Sequence, residues 1–313
     1  MVKERLSRLR DAMEEAGIDC YLIPTSDYHD SEYVSSFFAV RKYFSGFTGS
    51  AGTLVVTKRE AALFTDGRYF IQAAKELEGT GIQLMKIGEP QVPTVKEYLE
   101  KVLGEGQALG FDGRVVQAKE AIAYEEMVKS KQGKIVWDKD LAEGIWQDRP
   151  HLPGSPVYIL DECYCGESVE KKLKRVRKKM QEEGADVHIL TTLDDIAWLF
   201  NLRGNDVDYC PVFLAYAVIR MDQAILFADK SEASLHLKEN KVELCPYQAF
   251  YDFVASIKEE KVLVSVARVN YRLYKTLGTE LEIIDKPNPT TWMKAVKNPK
   301  EMENIRKDHL RDG

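Results

Sequence analysis

The stretch Met13-Glu-Glu-Ala-Gly-Ile-Asp19-Cys-Tyr-Leu-Ile-Pro-Thr25-Ser-Asp27 returns in altered form as Met180-Gln-Glu-Glu-Gly-Ala-Asp186-Val-His-Ile-Leu-Thr-Thr192-Leu-Asp194. Further along, Tyr43-Phe-Ser-Gly-Phe-Thr-Gly49 matches Trp198-Leu-Phe-Asn-Leu-Arg-Gly204, and Ala61-Ala-Leu-Phe-Thr-Asp66 matches Ala224-Ile-Leu-Phe-Ala-Asp229. The offsets of 167, 155 and 163 differ because the first copy carries extra residues around 29–40 and the second around 206–211. A long-period repeat fixes the architecture before any single element is read. Two diverged copies of one α/β unit lie in tandem. The Pro/Gly/Ser segment His151-Leu-Pro-Gly-Ser-Pro156 punctuates them.

Each copy opens with a helix. Leu6, Leu9, Met13 and Ala16 recur at helical spacing before Gly17, and Leu173, Val176 and Met180 repeat the stripe before Gly184. Apolar strands follow at 20–23 and 187–190. Two hairpins come next, 53–56 with 61–65 and 213–219 with 224–228, joined by short polar connectors. Helix and strand then alternate: 68–77, 82–86, 95–103 and 108–111 in the first copy, 242–244, 247–257 and 262–264 in the second. Such alternation plus one hairpin predicts a mixed sheet flanked by helices.

The bulk properties agree with this class. The 313 residues suit about two domains of ordinary size. Lys and Arg number 44 against 50 Asp and Glu, a net charge of −6 that gives no general reason to expect nucleic-acid binding. No apolar run approaches the ~20 residues that span a bilayer. The N-terminus is charged where a secretory signal is apolar, and five cysteines form no disulfide framework, so a cytoplasmic location is expected. Near the end, Asn298-Pro-Lys-Glu301 reads as a helix start with Asn as N-cap, Pro at N1 and Glu at N3. Met302, Ile305, His309 and Leu310 then line one side, and that stripe needs either the second domain or a third one to bury it.

Chemistry is sparse. Cys163-Tyr-Cys165 has the wrong spacing for a zinc knuckle, and the five histidines form no metal pair. Asp206 and Asp208 sit two apart in a polar loop and read as solvated rather than metal-binding. The glycines of Gly46-Phe-Thr-Gly49-Ser-Ala-Gly52 either make a tight turn into the next strand or line a cleft. The basic run Lys171-Lys-Leu-Lys-Arg-Val-Arg-Lys-Lys179 is threaded by the apolar stripe, which makes it mostly the solvated face of a packed helix. Arg68, in Thr65-Asp-Gly-Arg-Tyr-Phe70, stands where a helix begins, and a cation there needs a compensating partner. Asp66 can serve, or a carboxylate on a ligand or neighbouring domain. Asn201 and Arg203, in Asn201-Leu-Arg-Gly204, pose the same question in the second copy.

Four segments together carry a family resemblance: Ser45-Gly-Phe-Thr-Gly-Ser-Ala-Gly-Thr53, Thr65-Asp-Gly-Arg-Tyr-Phe70, Asp194-Asp-Ile-Ala-Trp-Leu-Phe-Asn-Leu-Arg-Gly204 and Ala295-Val-Lys-Asn-Pro299. Their order and spacing resemble the long, three-domain form of cytosolic Xaa-Pro aminopeptidase (aminopeptidase P) over essentially the whole chain. The resemblance implies two tandem creatinase-like, ribonuclease-H-like α/β domains, 1–153 and 154–296, with 297–313 as the first helix of a pita-bread catalytic domain. It also implies that the parent removes the N-terminal residue from X-Pro peptides with two divalent metal ions, commonly manganese, whose Asp, His and Glu ligands have no matching motif here. These residues alone would then hold no cofactor and have no peptidase activity. Arg68 matches the family arginine at the substrate end of the cleft, and Asn201 and Arg203 would support the cleft or the interdomain surface. An X-Pro peptide is the implied partner of a homodimeric parent, with no nucleic-acid or membrane partner. The alternatives are a protein-binding module, as in a noncatalytic histone-chaperone subunit of the same architecture, or an amidinohydrolase related to creatinase, which the duplication disfavours.

Overall fold

A computed structural model describes residues 1–258 and 260–313. The chain divides into two compact units, Met1–Leu152 with Asn270–Arg272, and Pro153–Val269 with Leu273–Gly313.

The first unit is built from α1 (Val2–Glu15), β1 (Cys20–Pro24), α2 (Val40–Ser45), β2 (Thr53–Thr57), β3 (Ala61–Thr65), α3 (Phe70–Glu76), β4 (Ile82–Lys86), α4 (Val95–Val102), β5 (Ala108–Gly110), α5 (Ala118–Ser130) and β6 (Lys134–Val136). The rest of the chain adds β7 (Tyr158–Ile159), α6 (Glu162–Cys165), α7 (Val169–Glu183), β8 (Val187–Leu190), α8 (Leu193–Leu199), β9 (Leu202–Arg203), β10 (Tyr216–Arg220), β11 (Ala224–Phe227), α9 (Ser234–Glu239), β12 (Val242–Cys245), α10 (Phe250–Ala255), β13 (Lys261–Val264), α11 (Tyr271–Leu277), β14 (Glu282–Asp285), α12 (Pro289–Ala295) and α13 (Pro299–Asp312).

The repeat inferred from three matched segments holds strand by strand. The first sheet runs β4-β3-β2-β1-β5-β6 and the second β12-β11-β10-β8-β13-β14, the same order with each strand replaced by its counterpart. In each sheet one strand alone is reversed: β2 pairs antiparallel with β1 and β3, and β10 with β8 and β11. The other pairings, β3 with β4, β1 with β5, β5 with β6 and their counterparts, are parallel. A mixed sheet covered by helices on its faces follows from this pattern, because parallel strands need crossovers that lay helices over them.

The helical stripes are the faces that pack. Leu6, Leu9 and Met13 on α1, and Leu173, Val176 and Met180 on α7, are all buried. Gly17 and Gly184 follow these helices at φ +66° and +70°, the left-handed conformation that ends a helix cheaply only at glycine. The apolar floor of the first unit joins α1 to Ile23, Phe44, Phe47, Leu54, Val56 and Leu63.

Several expectations shift. Residues 68–77 do not form one helix, since Gly67–Tyr69 is a 3₁₀ turn and α3 starts at Phe70. The second hairpin strand begins at Tyr216 rather than 213. α8 lacks a clean stripe in the sequence because it is buried on more than one side. α13 starts as expected, with a reciprocal capping box between Asn298 and Glu301. None of its residues is buried, and it is tied to α6 by Asn298 Nδ2 donating to Cys165 O (2.7 Å) and Asn304 Nδ2 to Tyr164 O (2.9 Å).

Candidate functional site

Arg68 follows the carboxyl end of β3, where Asp66 caps the 3₁₀ turn by accepting from the Arg68 amide (3.1 Å). The guanidinium folds back on the same carboxylate, Nε to Oδ1 and Nη2 to Oδ2, both at 2.8 Å. Asp66 is therefore the compensating partner, and this hydrogen bonding holds its pKa down to about 2. The Arg68 side chain is 69% exposed, and its Nη1 has no hydrogen bond among the described residues. A planar fork with one edge tied and the other free can still receive a carboxylate.

The glycine-rich turn is packed beside it. A Cβ on Gly49 would lie 2.3 Å from the Phe47 ring, and one on Gly52 2.9 Å from the Phe64 carbonyl, so both positions exclude side chains. Arg41 holds the turn from inside, donating to Thr25 Oγ1 (2.7 Å), Phe47 O (2.9 Å) and Gly49 O while lying over the Phe47 ring. Burial pulls the Arg41 pKa down to about 10. On the outer side, Ser50 and Tyr69 share a 2.6 Å hydrogen bond, and Thr48 donates to Glu76 through its amide (2.8 Å) and hydroxyl (2.6 Å). Burial pushes the Glu76 carboxyl up, but the Thr48 and Gln72 hydrogen bonds outweigh it and hold the pKa below its usual value. The structure thus brings Arg68, through its neighbour Tyr69, beside Thr48 and Ser50, the exposed residues of the turn.

Asn201 and Arg203 lie in the second unit and close the end of α8. Asn201 takes the left-handed conformation (φ +52°), which Asn tolerates better than most residues. Its side chain donates to Glu167 O (3.0 Å) and accepts from Lys172 Nζ (2.6 Å), which also donates to Trp198 O (2.7 Å) and sits over the Trp198 ring. Arg203 Nη1 donates to Ala197 O (2.7 Å) and Leu202 O (2.9 Å). Cations therefore satisfy last-turn carbonyls of α8, where the helix dipole favours positive charge. Burial pushes the Arg203 pKa below its ordinary value.

Sequence reasoning missed Lys172, which is fully buried and not part of a solvated face. The signal was present: Val169, Lys172, Val176 and Met180 fall on one side of α7 at helical spacing. The second Asp-Gly-Arg, Asp112-Gly113-Arg114, also escaped notice, although it repeats the Asp66–Arg68 geometry after β5. Asp206 is not solvated. It is buried against Lys230 (2.9 Å) and accepts from the Ser155 hydroxyl (2.6 Å), while Asp208 is exposed. Cys163 is exposed and Cys165 buried. Among the described residues no group of three or more His, Cys, Asp or Glu is placed to hold a metal ion, and no helix is long and apolar enough to cross a membrane.

Two stretches match the creatinase/prolidase N-terminal domain, residues 5–136 and 148–301. The chain is 38% identical to a probable Xaa-Pro aminopeptidase P of Pyricularia oryzae, over 99% of its own length and 53% of that protein. It is 36% identical to aminopeptidase P2 of Arabidopsis thaliana, over its whole length and 49% of that protein. Among solved structures it superposes with a TM-score of 0.94 on an X-prolyl aminopeptidase from Caenorhabditis elegans, described as a cytosolic enzyme with a di-nuclear active site. That match has 31% identity and covers 100% of this chain and 54% of the other. The chain thus spans about half the length of the curated relatives it matches.

Proposed function

We propose a function from the premise that the chain belongs to the creatinase/prolidase N-terminal domain family, which it carries twice in tandem. It serves as the noncatalytic N-terminal region of an Xaa-Pro aminopeptidase, shaping the cleft into which short peptides enter. The observation behind this reading is likeness to an X-prolyl aminopeptidase along the whole chain rather than in one motif. The parent would release the N-terminal residue from X-Pro peptides, in the cytoplasm and as a homodimer. Hydrolysis by a metal pair, commonly manganese, is the chemistry the family implies. The residues present do not fit such a pair, since no cluster of three or more His, Cys, Asp or Glu is placed for a metal ion among those described.

The chain's own contribution is positioning. Asp66 fixes the Arg68 guanidinium in one plane and leaves its Nη1 edge for the carboxylate of a peptide. Asn201 and Arg203, by closing α8, keep the surface of the second unit in one shape.

Two measurements test this. The purified 313-residue chain, given manganese and an X-Pro tripeptide, is expected to release no amino acid, and release would overturn the noncatalytic reading. In a protein spanning the full length of the relatives, Arg68→Ala is expected to lower kcat/KM about tenfold with Tm unchanged. Unchanged kcat/KM for peptides of several lengths would remove Arg68 from the site.

A further inference from the structure

The first sheet has a second place of interest, on the edge where its parallel strands end. The chain leaving β1 pairs next as β2 on one side, while the chain leaving β5 returns as β6 on the other. The connections therefore part between β1 and β5. Open α/β sheets bind ligands outside the carboxyl ends of their strands at such a point.

A cleft of about 540 Å³ lies there, walled by Tyr28, Phe37, Arg114, Asp140, Trp146 and Arg149. Its volume is within the range of small-molecule sites, and aromatic walls with a few converging polar groups are their usual lining. Asp140 accepts from Arg149 Nη1 (2.7 Å) and sits 3.4 Å from Arg114 Nη2. Arg114 is also held by Asp112, through Nε (2.9 Å) and Nη2 (2.8 Å). Arg149 Nε donates to Phe37 O (2.9 Å), and its guanidinium stacks 3.9 Å from the Phe37 ring and 5.9 Å from that of Trp146. Both arginines are thus locked in place, yet Nη1 of Arg114 and Nη2 of Arg149 have no hydrogen bond among the described residues. Each side chain keeps a little solvent contact, 25% and 11%.

Two fixed guanidinium edges are receptors for a pair of anionic oxygens. The charge around them narrows the choice. Asp112 and Asp140 already cancel the two arginines, and at the rim the exposed Glu143 adds a negative charge beside the exposed imidazole of His151. A phosphate would bring two negative charges to a floor with no net positive charge. A carboxylate with an ammonium group close to it matches both signs, and an apolar side chain beside them would meet the Phe37 and Trp146 rings.

We propose that this cleft binds a free α-amino acid with an apolar side chain, its carboxylate on the open edges of Arg114 and Arg149 and its ammonium toward Glu143. The inference does not rest on the peptidase reading and stands or falls separately. Calorimetric titration of the full 313-residue chain tests it, with L-phenylalanine as probe and N-acetyl-L-phenylalanine, L-phenylalaninamide and inorganic phosphate as comparisons. Binding of L-phenylalanine in the millimolar range or tighter is expected, with each blocked derivative at least about tenfold weaker and phosphate weaker still. Glu143→Gln, at an exposed position, should weaken L-phenylalanine about threefold or more while Tm stays constant, and Trp146→Ala should weaken it further. Three results would overturn the proposal: no heat at 20-fold above about 1 mM, equal binding of the blocked derivatives, or phosphate binding tighter than the amino acid.

Discussion

Two Asp-Gly-Arg segments follow strands that end on the same edge of the first sheet, Asp66–Arg68 after β3 and Asp112–Arg114 after β5. Their internal geometry is the same. In each the Asp accepts from the Arg amide two residues on (3.1 and 2.9 Å), then from Nε (2.8 and 2.9 Å) and Nη2 (2.8 Å in both). Their surroundings differ. The Arg68 and Asp66 side chains are 69% and 39% exposed, and those of Arg114 and Asp112 25% and 13%. A Cβ on Gly67 would find its nearest neighbour at 3.9 Å, whereas one on Gly113 would meet the Trp137 carbonyl at 2.8 Å. The three residues dictate a local clasp, and burial decides whether that clasp is a solvated surface pair or part of the frame. An ion pair in water contributes little, while a half-removed buried pair leaves a charge without its partner.

The largest expected effect separates the two acids. Asp112→Ala leaves Arg114 with Asp140 at 3.4 Å alone, and should cost on the order of 2–4 kcal/mol in urea unfolding. Asp66→Ala, which removes only an exposed cap and ion pair, should shift the midpoint far less. Equal losses would break the contrast. The glycines come next: Gly113→Ala is expected to cost about 1–3 kcal/mol by forcing the backbone apart, and Gly67→Ala a few tenths or nothing. A tolerated Gly113→Ala would mean that the frame around β5 yields more readily than the packing implies.

The smallest effect asks whether burial sets the behaviour of a cation in the second unit too. Burial lowers the Lys172 pKa to about 8, against 10.5 for a free side chain. Between those values the folded chain binds fewer protons than the unfolded one, so stability rises with pH across the window and is flat with respect to this group below it. The two oxygens that accept from Nζ moderate the penalty. Lys172→Met should remove a rise of about 1–2 kcal/mol between those pH values, measured against the parent chain. An unchanged slope would show that the ammonium is fully compensated in the fold.

What the sequence made legible was whatever repeats at short period or long. The stripes of α1 and α7 and their glycine stops were readable because one face is buried and the other is not, and the hairpin of β2 and β3 because two buried apolar runs flank a short polar connector. The duplication was readable because aligned copies reinforce each other. α8 was not, since Leu193, Ile196, Ala197, Trp198 and Leu199 are all buried and leave no polar face to mark the period. The same limit applied to single charges. Nothing local distinguishes Lys172 from Lys171, or Asp206 from Asp208, because the partners that bury Lys172 and Asp206 come from elsewhere in the chain. Arg68 could be marked as needing a partner, but its contact with the glycine-rich turn through Tyr69 and Ser50 is a tertiary fact.

The shared strand order carries a consequence for how the chain is made. In each sheet the central pair joins strands far apart in the chain: Cys20 lies beside Leu109, and Val187 beside Val262. Until β5 arrives, β1 keeps an unpaired side, and β13 is a strand of the same sense and position in the other copy. During synthesis this ambiguity does not arise, because β6 ends at Val136 and the first sheet is complete before β8 exists. Dilution from denaturant releases all twelve strands of the two sheets at once and removes that temporal separation. Growth from one end thus does for this duplicated chain what sequence divergence alone would otherwise have to do, keeping each copy's strands with their own kind.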